Sequence, residues 1–98
     1  KLKELSWRQR KEAQVLKLKN APYDSKVVAM GDKLSNMRGI ATDYRRIGDK
    51  LWLRFHAPNG KSDIEWYYRS LAEALSDLAD LYPYIEYVWL LEETFGKK

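Results

Sequence analysis

One stretch of the chain repeats apolar residues at the spacing of an α-helix over several turns. The apolar positions are Ile64, Tyr67, Tyr68, Leu71, Leu75, Leu78 and Tyr82, and the opposite side carries Glu73, Asp77 and Asp80. This stripe predicts an amphipathic helix that buries one side. Ser62, followed three residues later by Glu65, has the spacing of a capping box and would begin that helix. The rest of the chain must therefore supply the elements that cover the stripe.

Further helices are predicted from their own start and stop signals. A capping-box pattern at Ser6 and Gln9 begins the first, which ends near Asn20, before a proline. The others are a helix capped by Asp24 or Ser25 that runs to about Ile47, a short helix capped by Asp49 that carries Leu51, Trp52 and Phe55, and a last helix from Pro83 to Phe95 that stops at Gly96. No stretch shows sustained alternation of apolar and polar residues, so the fold class is all-α, with about five helices.

Length and composition limit the classes of protein that the chain can belong to. With 98 residues, 45% of them apolar and 33% charged, residues 1–98 fit a single helical domain or the C-terminal fragment of a larger one. No continuous apolar run is long enough to cross a membrane, and the start lacks the apolar segment of a signal peptide. The absence of cysteine excludes disulfides and is compatible with a reducing compartment. We therefore expect a cytoplasmic protein whose residues 1–5 are flexible.

The net charge of +4 comes largely from the first nineteen residues. The basic positions there are Lys1, Lys3, Arg8, Arg10, Lys11, Lys17 and Lys19, against Glu4 and Glu12. Such a run can approach nucleic acid or another polyanion, or it can be the solvated face of a helix. No combination of aromatic and basic residues typical of a nucleic-acid platform accompanies the charge, so the sequence favours the solvated face.

The second predicted helix has a polar side that needs a separate explanation. Val27, Met30, Leu34, Met37, Ala41 and Tyr44 collect on one side, and Ser25, Asp32, Ser35, Asn36, Gly39 and Asp43 on the other. Asp32 is then either a charge that faces water or one ligand of a metal ion whose other ligands lie elsewhere. A single carboxylate cannot hold a divalent cation by itself.

The segment VVAMGDKLSNMRGI resembles the final motif of the HD-superfamily phosphohydrolases. The resemblance is to the branch related to bacterial alarmone hydrolases, which remove pyrophosphate from (p)ppGpp and carry a segment of the form A-D-[KR]-L-H-N-[LM]-R-[ST]. The stretches SWRQRK and LKNAP before the motif, and DIEWYYRSLAEAL after it, are similar to stretches of small stand-alone members. The similarity covers most of the chain, in the order of the C-terminal half of such a domain.

The resemblance implies roles for residues of the motif. Asp32 corresponds to the aspartate that completes a metal site begun upstream by a histidine and a His-Asp dyad, with Mn²⁺ as the expected cation. Asn36 corresponds to the asparagine that seats the nucleotide, and Lys33 and Arg38 to the basic positions near the substrate. The implied substrate is a nucleotide-like phosphate or pyrophosphate ester, hydrolysed by a water molecule that the cation activates.

The chain departs from the family pattern at identifiable positions. Ser35 stands where histidine is usual, and Gly39 replaces the serine or threonine that lies near the purine in alarmone hydrolases. His56 is the only histidine of the chain, and its place in a loop beside Ala57-Pro58 is more typical of a surface residue than of a metal ligand. The 98 residues by themselves are therefore expected to be inactive.

The alternative is a non-catalytic helical module for interaction or oligomerisation. The last helix carries apolar residues on nearly all sides, so a neighbour or an absent N-terminal half is expected to cover it. We expect self-association through exposed apolar surface around Trp89, Leu90 and Leu91. Trp66 lies opposite the apolar stripe of its helix and is a second candidate for contact with a partner.

Overall fold

The computed structural model describes residues 5–97, and every regular element among them is helical. The elements in chain order are α1 (Trp7–Lys19), α2 (Tyr23–Ile47), a 3₁₀ segment (Gly48–Phe55), α3 (Lys61–Ala74), a second 3₁₀ segment (Ser76–Leu78) and α4 (Tyr82–Phe95). The all-α prediction is confirmed. The expected flexibility of residues 1–5 falls almost entirely outside the described part of the chain.

Local signals set several helix ends. Ser6 accepts a hydrogen bond from the Gln9 backbone N–H, and the Gln9 side chain accepts one from Ser6, so the predicted capping box forms at the start of α1. Pro83 lies in the first turn of α4, and Gly96, with a φ of 95°, ends it. These boundaries agree with the sequence prediction.

The predicted start of α3 is wrong. The helix begins at Lys61 after Gly60, whose φ of 58° turns the chain, and Ser62 is not its cap. The buried carboxylate of Asp63 accepts a hydrogen bond of 2.8 Å from the Asn59 backbone N–H, which joins the loop to the first turn. The hydrogen bond from the Asn59 backbone to Asp63 thus takes the place of the capping box that was expected of Ser62 and Glu65.

Other details of the predicted helices also differ. The N-cap of α2 is Pro22 and not Asp24 or Ser25, so α2 begins two or three residues earlier than predicted. The short helix after Gly48 is a 3₁₀ segment, and Asp49 does not cap it but accepts a hydrogen bond of 2.9 Å from the buried Trp52 indole. The stripe that starts at Ile64 is interrupted where α3 ends at Ala74, and Tyr82, expected at its end, is 71% exposed at the start of α4.

Helices α2 and α4 pack side by side and run in the same direction. The guanidinium of Arg38 makes two hydrogen bonds of 2.7 Å to Glu86, and Arg45 makes one of 3.1 Å to Glu93. In both pairs the two residues are 48 positions apart in the sequence. The residue two turns further along α2 therefore pairs with the residue two turns further along α4, as it does in parallel helices. The core lies beneath this contact and is completed by the buried residues of α3 and the first 3₁₀ segment.

The last helix is covered by the chain itself on more sides than predicted. Leu90 and Leu91 are 6% and 3% exposed, so the expectation that they form exposed surface is wrong. Both pack into the cluster that includes the inner sides of α2 and α3. Trp66, expected to meet a partner, is half-buried and packs against Trp7 of α1, with a ring separation of 6.3 Å.

Replacement of Tyr87 by phenylalanine tests the centre of this packing. Tyr87 is fully buried, and its hydroxyl donates a hydrogen bond of 2.7 Å to the Tyr68 carbonyl of α3. We expect Tyr87→Phe to lower the free energy of unfolding by about 1 kcal/mol, the typical worth of such a bond. Urea denaturation measures it, with Tyr82→Phe, at an exposed position, as the matched control. Equal effects of the two substitutions would contradict the assignment.

Candidate functional site

Asp32 and Asn36 lie one turn apart on the side of α2 that faces away from the core. Both side chains are exposed, whereas Met30, Leu34 and Met37 of the same helix are buried. The spacing of four residues directs the carboxylate and the amide to the same side of the helix. The structure thus places the two polar residues of the motif together in solvent.

Lys33 is close to this pair, and Arg38 is not. Lys33 is half-buried and lines a groove between α1 and α2. Arg38 points to the α4 edge, where its hydrogen bonds to Glu86 raise the pKa of Arg38 and hold the pKa of Glu86 below its usual range. Arg38 would have to leave Glu86 before it could approach a ligand beside Asp32.

A cleft of about 430 Å³ opens beside Asn36. Its lining includes Asn36 and Gly39 from α2, Arg54 and Phe55 from the 3₁₀ segment, and Tyr68 from α3. Burial, with the neighbouring Tyr67, raises the pKa of Tyr68 to about 12. The phenol is therefore a neutral hydroxyl at physiological pH.

Arg54 contributes a positive charge to the wall of this cleft. Its guanidinium donates a hydrogen bond of 2.8 Å to Asp43, which lines the same cleft, and this bond lowers the pKa of the Asp43 carboxyl. Sequence reasoning placed Asp43 on the polar side of α2 but gave no role to Arg54. The contact joins two elements, and no local spacing pattern could have predicted it.

Asp32 is the residue of the motif suited to a divalent cation, because carboxylate oxygen is a ligand that Mn²⁺ accepts. Within residues 5–97, no group of three or more histidine, cysteine or acidic side chains could hold a metal ion. His56 is exposed, at the end of the first 3₁₀ segment, with a φ of 53°. Any cation held by Asp32 would need further ligands from outside the described residues.

The basic face of α1 differs from its interpretation as a fully solvated surface. The Arg8 guanidinium lies 3.6 Å from the centroid of the Trp66 ring, and the Lys11 ammonium lies 4.8 Å from that of Tyr67. Burial, together with Lys33 and Arg10, lowers the pKa of Lys11. The sequence prediction missed these contacts because the aromatic partners lie far along the chain, on α3.

No protein-family model matches the chain, and no curated protein matches it. No helix among the described residues is both long and apolar enough to span a membrane.

Two glycines of the motif region occupy helical positions without a local need for glycine. Beyond its chain neighbours and the nearby backbone of α2 itself, a Cβ atom at Gly31 or Gly39 would meet no atom of the described residues within 4 Å, and both glycines are exposed. Glycine in a helix interior costs roughly 0.5–1 kcal/mol relative to alanine, because its unfolded state has more conformational freedom. The outer side of α2 therefore carries a stability cost that its contacts in this chain do not explain.

We expect Gly31→Ala and Gly39→Ala each to raise the free energy of unfolding of the 98-residue chain by roughly 0.5–1 kcal/mol. Gly48→Ala is the control, because its φ of 63° strains any other residue and the substitution should destabilise the chain. Urea denaturation measures all three. A loss of stability on Gly31→Ala or Gly39→Ala would mean that the outer side of α2 is already in contact within this chain.

Proposed function

We propose that this chain is the C-terminal helical portion of an HD-type, metal-dependent phosphohydrolase that acts on nucleotide-like phosphate or pyrophosphate esters, of which (p)ppGpp is an example. The observation that carries the proposal is the position of the motif GDKLSNMRG on α2, where Asp32 and Asn36 are both exposed one turn apart and Asn36 lines a cleft. A carboxylate that must join ligands from another segment has to be accessible, and Asp32 is.

The exposed glycines of α2 support the proposal. Gly31 and Gly39 have no side chains, so another segment or a ligand could approach the helix backbone closely at these positions. Such a close contact would account for the cost in stability of two glycines in a helix. In the proposed enzyme, an N-terminal half with the histidine and His-Asp ligands packs on this side. The outer side of α2 would then be the floor of the active site.

The proposed roles follow from the chemistry of each side chain. A divalent cation, Mn²⁺ by family resemblance, would supply an activated water molecule and offset phosphate charge. Asp32 would hold the cation, and the Asn36 amide would hydrogen-bond the nucleotide. Lys33 would contact the phosphate. Arg38 could do so only after release from Glu86, so Lys33 is the better placed of the two.

The test uses the full polypeptide encoded by the gene, assayed with Mn²⁺ on (p)ppGpp and on nucleoside polyphosphates. We expect Asp32→Ala to lower both metal binding and the rate of hydrolysis at least about 100-fold. Loss of a group that only orients a metal ligand costs up to about this much, and loss of the ligand itself should cost no less. Asp24→Ala, an exposed aspartate in the first turn of the same helix, should leave both unchanged.

Full activity and metal content in the Asp32→Ala protein would refute the proposal. The encoded sequence upstream of Lys1 is a second, independent check. A histidine followed at a distance by His-Asp supports the enzyme, and an unrelated domain there opposes it.

A second candidate function is a non-catalytic module that associates through α4. Tyr82, Ile85 and Trp89 are 71%, 53% and 59% exposed at positions i, i+3 and i+7, so they share one side of the helix. The sequence predicted an exposed surface around Trp89, Leu90 and Leu91, and of these three only Trp89 is exposed and belongs to this stripe. An exposed apolar stripe of this kind is typical of a protein contact.

We expect the 98-residue chain to self-associate at high concentration, and Trp89→Ser to weaken this association. Sedimentation equilibrium measures it, with Leu53→Ser as the control, because Leu53 is 79% exposed and lies outside the stripe. A strictly monomeric chain, or equal effects of the two substitutions, would count against this second function.

A further inference from the structure

A groove of about 660 Å³ runs between α3 and α4, and all the residues that line it belong to these two helices. Trp66 of α3 and Val88 and Leu91 of α4 contribute apolar wall. The groove shares no residue with the motif on α2 or with the exposed apolar stripe of α4. It is therefore a separate surface from those of the two proposed functions.

The two helices that form the groove run in opposite directions. The Tyr84 hydroxyl, near the start of α4, donates a hydrogen bond of 2.9 Å to the Ala72 carbonyl, near the end of α3. One turn further along α4, the Tyr87 hydroxyl donates one of 2.7 Å to the Tyr68 carbonyl, one turn back along α3. The last turns of α3 and α4 thus lie at opposite ends of the groove.

Each end of the groove carries an acidic side chain that the described chain does not pair. Glu73 lies in the last turn of α3, and Glu92 lies in the last turn of α4. None of the ion pairs formed by residues 5–97 within 4.0 Å involves either of them. Arg69, the basic residue of the lining, is held by Glu65 at 2.8 Å and by the Gly96 carbonyl at 2.6 Å. The groove is therefore acidic, on a chain whose net charge is +4.

The positions of Glu73 and Glu92 are unfavourable for the helices that carry them. The C-terminal end of a helix has a partial negative charge, which repels a carboxylate. Neither α3 nor α4 has a basic residue in its last turn to offset this repulsion. Glu86 and Glu93 of α4, by contrast, each pair with an arginine of α2. A basic partner in the groove would provide the counter-charge that the described chain does not.

We propose that this groove is the docking site for an α-helix of another protein, one with apolar residues along one side and a lysine or arginine at each end of that side. Its apolar residues would lie against Trp66, Val88 and Leu91, and its basic residues against Glu73 and Glu92. An amphipathic helix that lies in an apolar groove is a recurring mode of recognition. Opposite charges at the two ends would select a basic helix over an acidic one.

The experiment measures fluorescence anisotropy of a labelled helical peptide of leucine and lysine, with leucine along one side, titrated with the 98-residue chain. We expect saturable binding, weakened about 3-fold by Glu73→Gln or Glu92→Gln and about 10-fold by both, as for partly exposed ion pairs. Asp80→Asn is the matched control, since it makes the same charge change at an exposed site outside the groove. The same peptide with glutamate in place of lysine should not bind.

Urea denaturation separates a role in docking from a role in the fold. Glu73→Gln and Glu92→Gln should leave the denaturation midpoint of the free chain unchanged or raise it, because each removes a charge that the end of its helix repels. A lower midpoint would show that these carboxylates stabilise the chain itself and would overturn the proposal.

Three binding results would also overturn the proposal. They are no binding of the leucine and lysine peptide, equal binding of the glutamate peptide, and a loss on Asp80→Asn as large as that on Glu73→Gln. Sedimentation equilibrium without peptide tests a second copy of the chain as the occupant. If Glu73→Gln or Glu92→Gln weakens self-association, the occupant is a second copy and not another protein. Trp89→Ser should leave peptide binding unchanged, because Trp89 does not line the groove.

Discussion

The parallel packing of α2 on α4 is the contact on which the rest of the structure depends. It buries the inner sides of both helices, and Tyr87 at its centre is fully enclosed and hydrogen-bonded to α3. Two parallel helices cannot be joined by a short turn. The chain between them must run from the end of α2 back to the level at which α2 begins, where α4 starts. The first 3₁₀ segment and α3 make that return, and their apolar residues complete the core.

This arrangement decides which surfaces of α2 remain free. One edge is taken by α4 through the Arg38 and Arg45 ion pairs, and the core takes the inner side. The outer side, with Asp32 and Asn36, and the edge towards α1, with Lys33, stay accessible. The proposed metal ligand and the nucleotide-binding amide are thus both on surfaces that the α2–α4 contact leaves uncovered. The exposed apolar stripe of α4 lies on a different helix, so the two proposed functions can be tested separately.

Sequence reasoning succeeded where structure depends on residues a few positions apart. The capping box of Ser6 and the stop at Gly96 are local, since their partners lie within one turn. Periodicity also predicted most of the buried side of α2, but Val27 is 43% exposed, and Lys26 and Ile40, which the predicted side did not include, are buried. It failed at Ser62, where the buried carboxylate of Asp63 draws the loop to the helix, and at Leu90 and Leu91, whose cover comes from distant helices.

The sequence by itself determined the helical class, the main helix ends and the presence of an acid and an amide one turn apart on the polar side of α2. These are properties of nearest neighbours and of a 3.6-residue period. Only the tertiary structure decided that Arg38 is held by Glu86, that Arg54 joins Asp43, and that Lys11 lies over the ring of Tyr67. Each of these depends on how separate elements pack, because side chains distant in the chain meet only after their helices have found their partners.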